Sequence, residues 1–168
     1  RALERHPEIQ ALEWIPRVTQ SQRAELEATA RTEGLTDFQF RELVPGADSR
    51  SAEIREEYYP VLYVEPLDRN RTALGLDLGA SAPRRAALER ARDTGLPVAS
   101  APIRLAQEKS DQMGFLLFLP VYQGQSMAGP ATTGQLRVQR GKAARPDGRD
   151  RCAELVGEPA RRGHGRRQ

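Results

Sequence analysis

The triplet Asp93-Thr94-Gly95 has the form of the catalytic loop of an aspartic protease. That chemistry needs two such loops, because two carboxylates must share one proton. The triplet occurs once, and it falls at the end of a predicted helix over Pro83–Thr94, where Gly95 fits the position after the last helical residue. We therefore interpret it as a helix terminus.

Other residues that carry catalysis or bind metals are sparse. His6 and His164 stand too far apart to suggest a metal pair, and one cysteine, Cys152, excludes a disulfide framework and a Cys-based zinc site. The chain shows no Ser-His-Asp or Cys-His constellation. The sequence thus predicts no enzyme, no metal and no cofactor, and a hydrolase is the least favoured class.

Four tyrosines offer a different chemistry, because they could stack on nucleic-acid bases. Strand tyrosines are more often core residues or cross-strand partners, so both interpretations stay open. Arg104 could pair with an anionic ligand group or be an exposed strand arginine. The tyrosines are Tyr58, Tyr59, Tyr63 and Tyr122.

The charge and composition divide the 168 residues into two unlike parts. Residues 1–123 hold 16 Lys+Arg against 19 Asp+Glu and all nine aromatic residues, whereas residues 124–168 hold 10 basic and 4 acidic residues. An acidic body disfavours a folded nucleic-acid-binding domain. The longest apolar run, Phe115–Val121, is too short to cross a membrane.

Two helices are predicted at the N-terminus. Apolar residues recur at helical spacing from Arg1 to Val18, where Pro16 should end or kink the helix. Thr19 and Gln22 form a capping box for a second helix over Gln20–Glu33, followed by Gly34. Residues 1–33 are therefore predicted to be a helical stalk.

Residues 34–123 are predicted to form one lobe. The helix over Pro83–Thr94 lies between short predicted strands, without strict strand–helix alternation, which favours the α+β class with an antiparallel sheet. Residues 124–168 lack periodicity and are predicted to be largely irregular. The strands are predicted near Phe38–Glu42, Tyr58–Val64, Ile103–Gln107 and Gly114–Tyr122.

Specific strings between Leu3 and Tyr122 resemble the CHASE domain, the extracytoplasmic sensor module of bacterial histidine kinases and diguanylate cyclases and of plant cytokinin receptors. The resemblance implies a helical stalk, a PAS-like lobe that binds the ligand, flanking transmembrane helices and a cytoplasmic output domain. The strings include Ala11–Val18, Tyr58–Val61, Val64–Leu67, Ala73–Leu78, Ile103–Leu105 and Phe118–Tyr122.

The resemblance also implies site residues. The aspartate that pairs with the purine ring in cytokinin-binding members falls on Asp77, and a carboxylate can accept paired N–H donors of a flat heterocycle. A bare helix-cap role for Asp77 is equally open. The other candidate ligand-binding residues are Ala99, Ser100, Arg104, Gln107 and Tyr63.

The tail departs from the family pattern. An apolar strand is expected after Pro130-Ala131-Thr132, but the sequence there is rich in Arg and Gly. We interpret this as a frameshift near Thr133, which translation of the other two reading frames would reveal.

The sequence therefore predicts a small-molecule sensor domain in the periplasmic portion of an inner-membrane receptor, homodimeric through the stalk. Because the chain begins with Arg1 and shows no signal peptide, we expect an excised segment. Its ligand is a small molecule, with a nitrogen heterocycle as one candidate, and no nucleic acid is expected. The alternative is a small cytoplasmic protein whose basic tail binds nucleic acid, which a salt titration would distinguish.

Overall fold

The N-terminal segment contains strands where the sequence predicts a helix. The computed structural model describes residues 2–6, 9–44, 49–104, 113–122 and 134–142. A short helix, α1 (Ala2–Arg5), is followed by strands β1 (Ile9–Pro16) and β2 (Val18–Thr19). The predicted helix over residues 1–18, and with it that part of the stalk, is wrong for residues 9–16. Burial alternates along β1, where Ala11, Glu13 and Ile15 are buried, as expected for a strand.

The second helix, α2 (Gln20–Thr32), confirms the prediction to within one residue. The backbone N–H of Thr19 donates to Gln22 Oε1 at 3.0 Å, as the capping box requires. Gly34 adopts φ +104° just after the helix. Both ends of α2 are therefore set by residues next to it in the sequence.

After α2, the described residues form eight strands and two α-helices, and their arrangement confirms the α+β class with antiparallel sheets. The predicted strand over Tyr58–Val64 is divided in two, while the predicted strand over Gly114–Tyr122 is confirmed. The elements are β3 (Arg41–Leu43), β4 (Ser49–Ser51), β5 (Glu57–Tyr58), β6 (Tyr63–Glu65), α3 (Leu67–Asn70), α4 (Ala82–Thr94), β7 (Val98–Ala99), β8 (Ile103–Arg104), β9 (Met113–Tyr122) and β10 (Gly134–Lys142).

The main sheet has the order β6-β1-β10-β9-β7, with β8 also paired to β9. Strand β10 lies between β1 and β9, so that Leu136 is opposite both Ile15 and Pro120. The prediction of an irregular tail is therefore wrong for residues 134–142. Leu136 and Val138 alternate with polar residues along this strand, and its backbone groups are paired on both sides.

Two apolar cores lie on either side of the segment from Tyr58 to Leu62. Tyr59 and Val61 pack into a core between the main sheet and α4, whereas Tyr58 and Leu62 pack into a core beneath α2. Because neighbouring side chains of an extended chain point to opposite sides, one short segment joins both cores. Its backbone is also what holds Asp77.

Candidate functional site

A cavity of about 340 Å³ lies beside Asp77. Strand β3, the segment after β4 and the start of α4 each supply part of its wall. This volume is at the lower end of the range of about 300–1,000 Å³ that is usual for small-molecule sites. The charged residues that line it are Glu42, Arg50, Glu53, Arg55, Asp77 and Arg84.

The side chain of Asp77 is fully buried at the floor of this cavity. Its Oδ1 accepts the backbone N–H of Tyr59 at 2.9 Å and that of Gly79 at 3.0 Å. The second bond caps the 3₁₀ turn at Leu78–Ala80, so the cap role is confirmed. Oδ2 accepts one longer bond, 3.3 Å, from Arg55 Nη1.

The environment of Asp77 acts on its charge in two directions. Burial raises the pKa of this carboxyl above its ordinary value, while the N–H bonds from Tyr59 and Gly79 and the positive charge of Arg55 oppose the rise. The net direction is upward. A further donor or cation at Oδ2 would stabilise the carboxylate form.

Arg55 connects Asp77 to a chain of ion pairs along the cavity wall. Its Nη2 also pairs with Glu42 Oε2, and Arg50 Nε donates to Glu42 Oε1 at 2.8 Å. Arg50 then pairs with Glu53 at the exposed end of the chain. Burial would raise the pKa of Glu42, but hydrogen bonds from Arg55 and Arg50 outweigh it and lower the pKa.

The cavity thus presents carboxylates and guanidinium groups side by side. Such a wall suits a small polar molecule that carries N–H donors, with or without an anionic group. Within the described part of the chain, no group of three or more His, Cys, Asp or Glu side chains has a geometry that could hold a metal ion.

A comparison with models of known protein families identifies the family of this chain. The model of the CHASE domain matches residues 1–143. The chain belongs to the CHASE domain family. CHASE domains are extracellular sensor domains of receptors, so the resemblance in the sequence is confirmed and the domain has a sensor role. No curated protein matches the chain.

The match also bears on the tail of this CHASE domain. It continues past Thr133 to residue 143 and includes β10. The frameshift near Thr133 stays a prediction, and translation of the other two reading frames tests it. No helix in the described ranges is both long and apolar enough to cross a membrane.

Two other candidate residues of the CHASE domain lie at β7, away from the Asp77 cavity. Ala99 is exposed and pairs with Leu117 of β9. Ser100 is buried, and its Oγ donates to Ala101 O at 2.8 Å and accepts the Leu116 N–H at 3.0 Å. The Ser100 side chain therefore satisfies backbone groups at the end of the β7–β9 pair.

The remaining candidates of the CHASE domain do not line the Asp77 cavity in the described residues. Tyr63 is half-exposed, donates to Glu33 Oε2 at 2.9 Å, and lines a separate groove that also includes Trp14. Arg104 belongs to β8, and its side chain lies outside the described set. Gln107 is wholly outside the described residues.

The ion-pair chain of this CHASE domain is not predicted by the sequence pattern. Its one local signal is the density of charges from Arg50 to Glu57. Nothing in that run indicates that Glu42 is the shared partner, because the β3–β4 hairpin brings Glu42 and Arg50 together.

Proposed function

We propose that this CHASE domain senses a small polar molecule bound in the cavity beside Asp77. The observation that carries the proposal is the buried Asp77 carboxylate, whose Oδ2 is held by one bond of 3.3 Å in a cavity of about 340 Å³. A ligand N–H at Oδ2 would replace that bond, while Arg55 keeps Glu42 as a partner.

A nitrogen heterocycle with paired N–H donors is one ligand class that suits this wall. Asp77 Oδ2 would accept one donor, and the arginines would pair with any anionic substituent. An amino acid is the second class, since it presents an ammonium and a carboxylate together. Tyr63, Ala99, Ser100, Arg104 and Gln107 remain family-based candidates for contacts elsewhere.

The proposed signal passes from the cavity to the N-terminal segment. Asp77 is tied to Tyr59, and two residues further along Val61 N–H donates to Leu76 O. Leu62 N–H donates to Trp14 O at 2.9 Å, in the strand that follows the first residues of the chain. Ligand binding would bias two arrangements of this segment by its differential affinity for them.

The receptor context is part of the proposal. The antiparallel sheet with α4 on one face would be a PAS-like lobe, located in the periplasm and joined by transmembrane segments to a cytoplasmic output domain. Residues 1–33 would contact a second copy, with α2 as the helix available for pairing. Sedimentation of Glu25→Arg tests this pairing, because Glu25 is an exposed residue of α2. Arg23→Glu would not be a clean test, because Arg23 bonds to Ala52 O and supports the core beneath α2.

A thermal-shift screen of the whole chain tests the ligand site. Adenine derivatives, amino acids and small carboxylates would be compared on the wild type, on Ala80→Leu, which fills the cavity, and on Leu96→Ala, an exposed control. A ligand at 100 times its Kd adds about 2.7 kcal/mol. The proposal requires a shift that Ala80→Leu abolishes and Leu96→Ala keeps; a shift equal in all three proteins would refute it.

A further inference from the structure

A second cavity, of about 360 Å³, lies next to β3 and shares no lining residue with the Asp77 cavity. Strand β3 contributes to both, since Glu42 and Leu43 line the first cavity and Arg41 lines the second. The second cavity combines apolar side chains and two arginines with polar residues that include one carboxylate: Leu35, Phe38, Leu74, Arg41, Arg71, Thr36, Gln39, Thr72 and Asp37.

Within the described ranges, the hydrogen-bond partners of the Arg41 guanidinium are all neutral. Its Nη1 donates to Ser49 Oγ at 3.0 Å, and its Nη2 donates to the carbonyl oxygens of Thr72 at 3.1 Å and Leu74 at 2.6 Å. No carboxylate among the described residues comes within 4.0 Å of its guanidinium, although Asp37 lines the same cavity. By contrast, Arg50 and Arg55 are each paired with a carboxylate.

A partly buried cation without a counter-charge is unfavourable, because it loses hydration and gains no ion pair. Burial lowers the pKa of Arg41. Arg71, an exposed residue of the same cavity, adds a second positive charge. An anion bound here would supply the counter-charge that no described carboxylate provides within 4.0 Å.

We propose that this cavity binds a small carboxylate with an apolar body, held by Arg41 and Arg71. Phe38 and Leu74 would contact the apolar body, and the guanidinium of Arg41 would pair with the carboxylate. The site is separate from the one beside Asp77. Residues of β3 line both sites, and the Asp77 N–H donates to Arg41 O at 2.8 Å.

An NMR titration of the full chain tests this site, with benzoate as the probe and benzamide as its neutral isostere at constant ionic strength. Benzoate is expected to give saturable shifts at amides near Phe38, Arg41 and Leu74, and benzamide none. Equal binding of both compounds, or no saturable shift with benzoate, would overturn the proposal.

Matched variants test whether benzoate binding depends on the charges of the two arginines or only on apolar contacts. Arg41→Gln should weaken benzoate binding more than tenfold, the scale of a charge-assisted hydrogen bond. Because Arg41 also bonds to Ser49, Thr72 and Leu74, its replacement can disturb the fold, so Arg71→Ala is the second variant and should weaken binding about threefold. Arg69 is exposed and lies outside the cavity, so Arg69→Ala should leave binding unchanged. Equal effects of Arg71→Ala and Arg69→Ala would refute the assignment.

Variants of two acidic residues test which of the two cavities benzoate occupies. Asp37→Asn removes the negative charge from the cavity lining and should tighten benzoate binding about twofold. Asp77→Asn should leave benzoate binding intact, because Asp77 lines the other cavity. Loss of benzoate binding in Asp77→Asn, with Arg71→Ala unaffected, would place the probe in the Asp77 cavity and reject a second site.

Discussion

The Asp77 carboxylate accepts the backbone N–H of Tyr59, with 2.9 Å between Oδ1 and the nitrogen. Tyr59 lies in the short segment whose side chains enter both apolar cores. A single buried carboxylate therefore links the wall of the candidate cavity to the centre of the domain. Any change at Asp77 must be tested for stability as well as for binding.

Asp77→Ala should destabilise the domain much more than Asp77→Asn. Alanine leaves the N–H groups of Tyr59 and Gly79 without their acceptor, at about 1–3 kcal/mol for each buried group. Asparagine keeps a carbonyl oxygen that can accept both. Urea unfolding at pH 7 measures the difference, and equal free energies of unfolding for the two variants would contradict this role.

Asp77 and Glu42 should give pH dependences of opposite sign. The pKa of Asp77 is raised from 3.8, so the stability linked to its protonation is full below that value and is lost as pH rises through the raised pKa. The pKa of Glu42 is lowered from 4.5, so its contribution is full above that value and is lost as pH falls through the lowered pKa.

Unfolding free energies between about pH 3 and 6 check these signs. Relative to the wild type, Asp77→Asn should gain stability as pH rises, and Glu42→Gln should gain stability as pH falls. The slopes carry the test, because either variant also changes the absolute stability by removing an ion pair with Arg55. Parallel slopes for the two variants would show that one assignment is wrong.

Gly75→Ala should be more damaging than Gly34→Ala. Both glycines have positive φ, +76° and +104°, so alanine is strained at either position, by about 1–2 kcal/mol. At Gly75 the new Cβ would also lie 2.1 Å from the carbonyl oxygen of Gln39, whereas nothing lies within 4 Å at Gly34. Thermal denaturation should show a melting temperature several degrees lower for Gly75→Ala, and equal losses would rule out the close contact.

Strand β10 should be essential for folding although it lies in the basic tail. A chain ending at residue 133 lacks the strand between β1 and β9, and each of these neighbours loses its backbone partners on one side. A chain ending at residue 143 keeps it. Circular dichroism during urea unfolding should show a cooperative transition only for the longer chain; a cooperative transition in both would remove β10 from the core of the fold.

Local signals were sufficient for the two long helices. The Thr19–Gln22 capping box marks the start of α2, and Gly95, with φ +70°, marks the end of α4. In both cases the groups that satisfy the helix end are close in the sequence. The strings that resemble the CHASE domain were also sufficient for the family.

Pairing between distant residues decided the strands. The spacing of Ile9, Leu12 and Ile15 fits a helix, yet these residues form β1, because β6 and β10 satisfy its backbone on both sides. In β10, two apolar residues, Leu136 and Val138, lie in an Arg-rich segment, and this segment also becomes a strand because β1 and β9 pair with it. Neither partner can be inferred from the local sequence, since strand pairing is a long-range contact.

Local sequence signals predict α2 and α4, and the strings that resemble the CHASE domain predict the family and Asp77 as a candidate residue. The folded chain is needed to see that Asp77 shares Arg55 with Glu42, and that Arg41 lines a different cavity from its neighbour Glu42. Helix capping acts over three or four residues and can be predicted locally, whereas ion pairs in a cavity depend on how folded strands bring distant residues together.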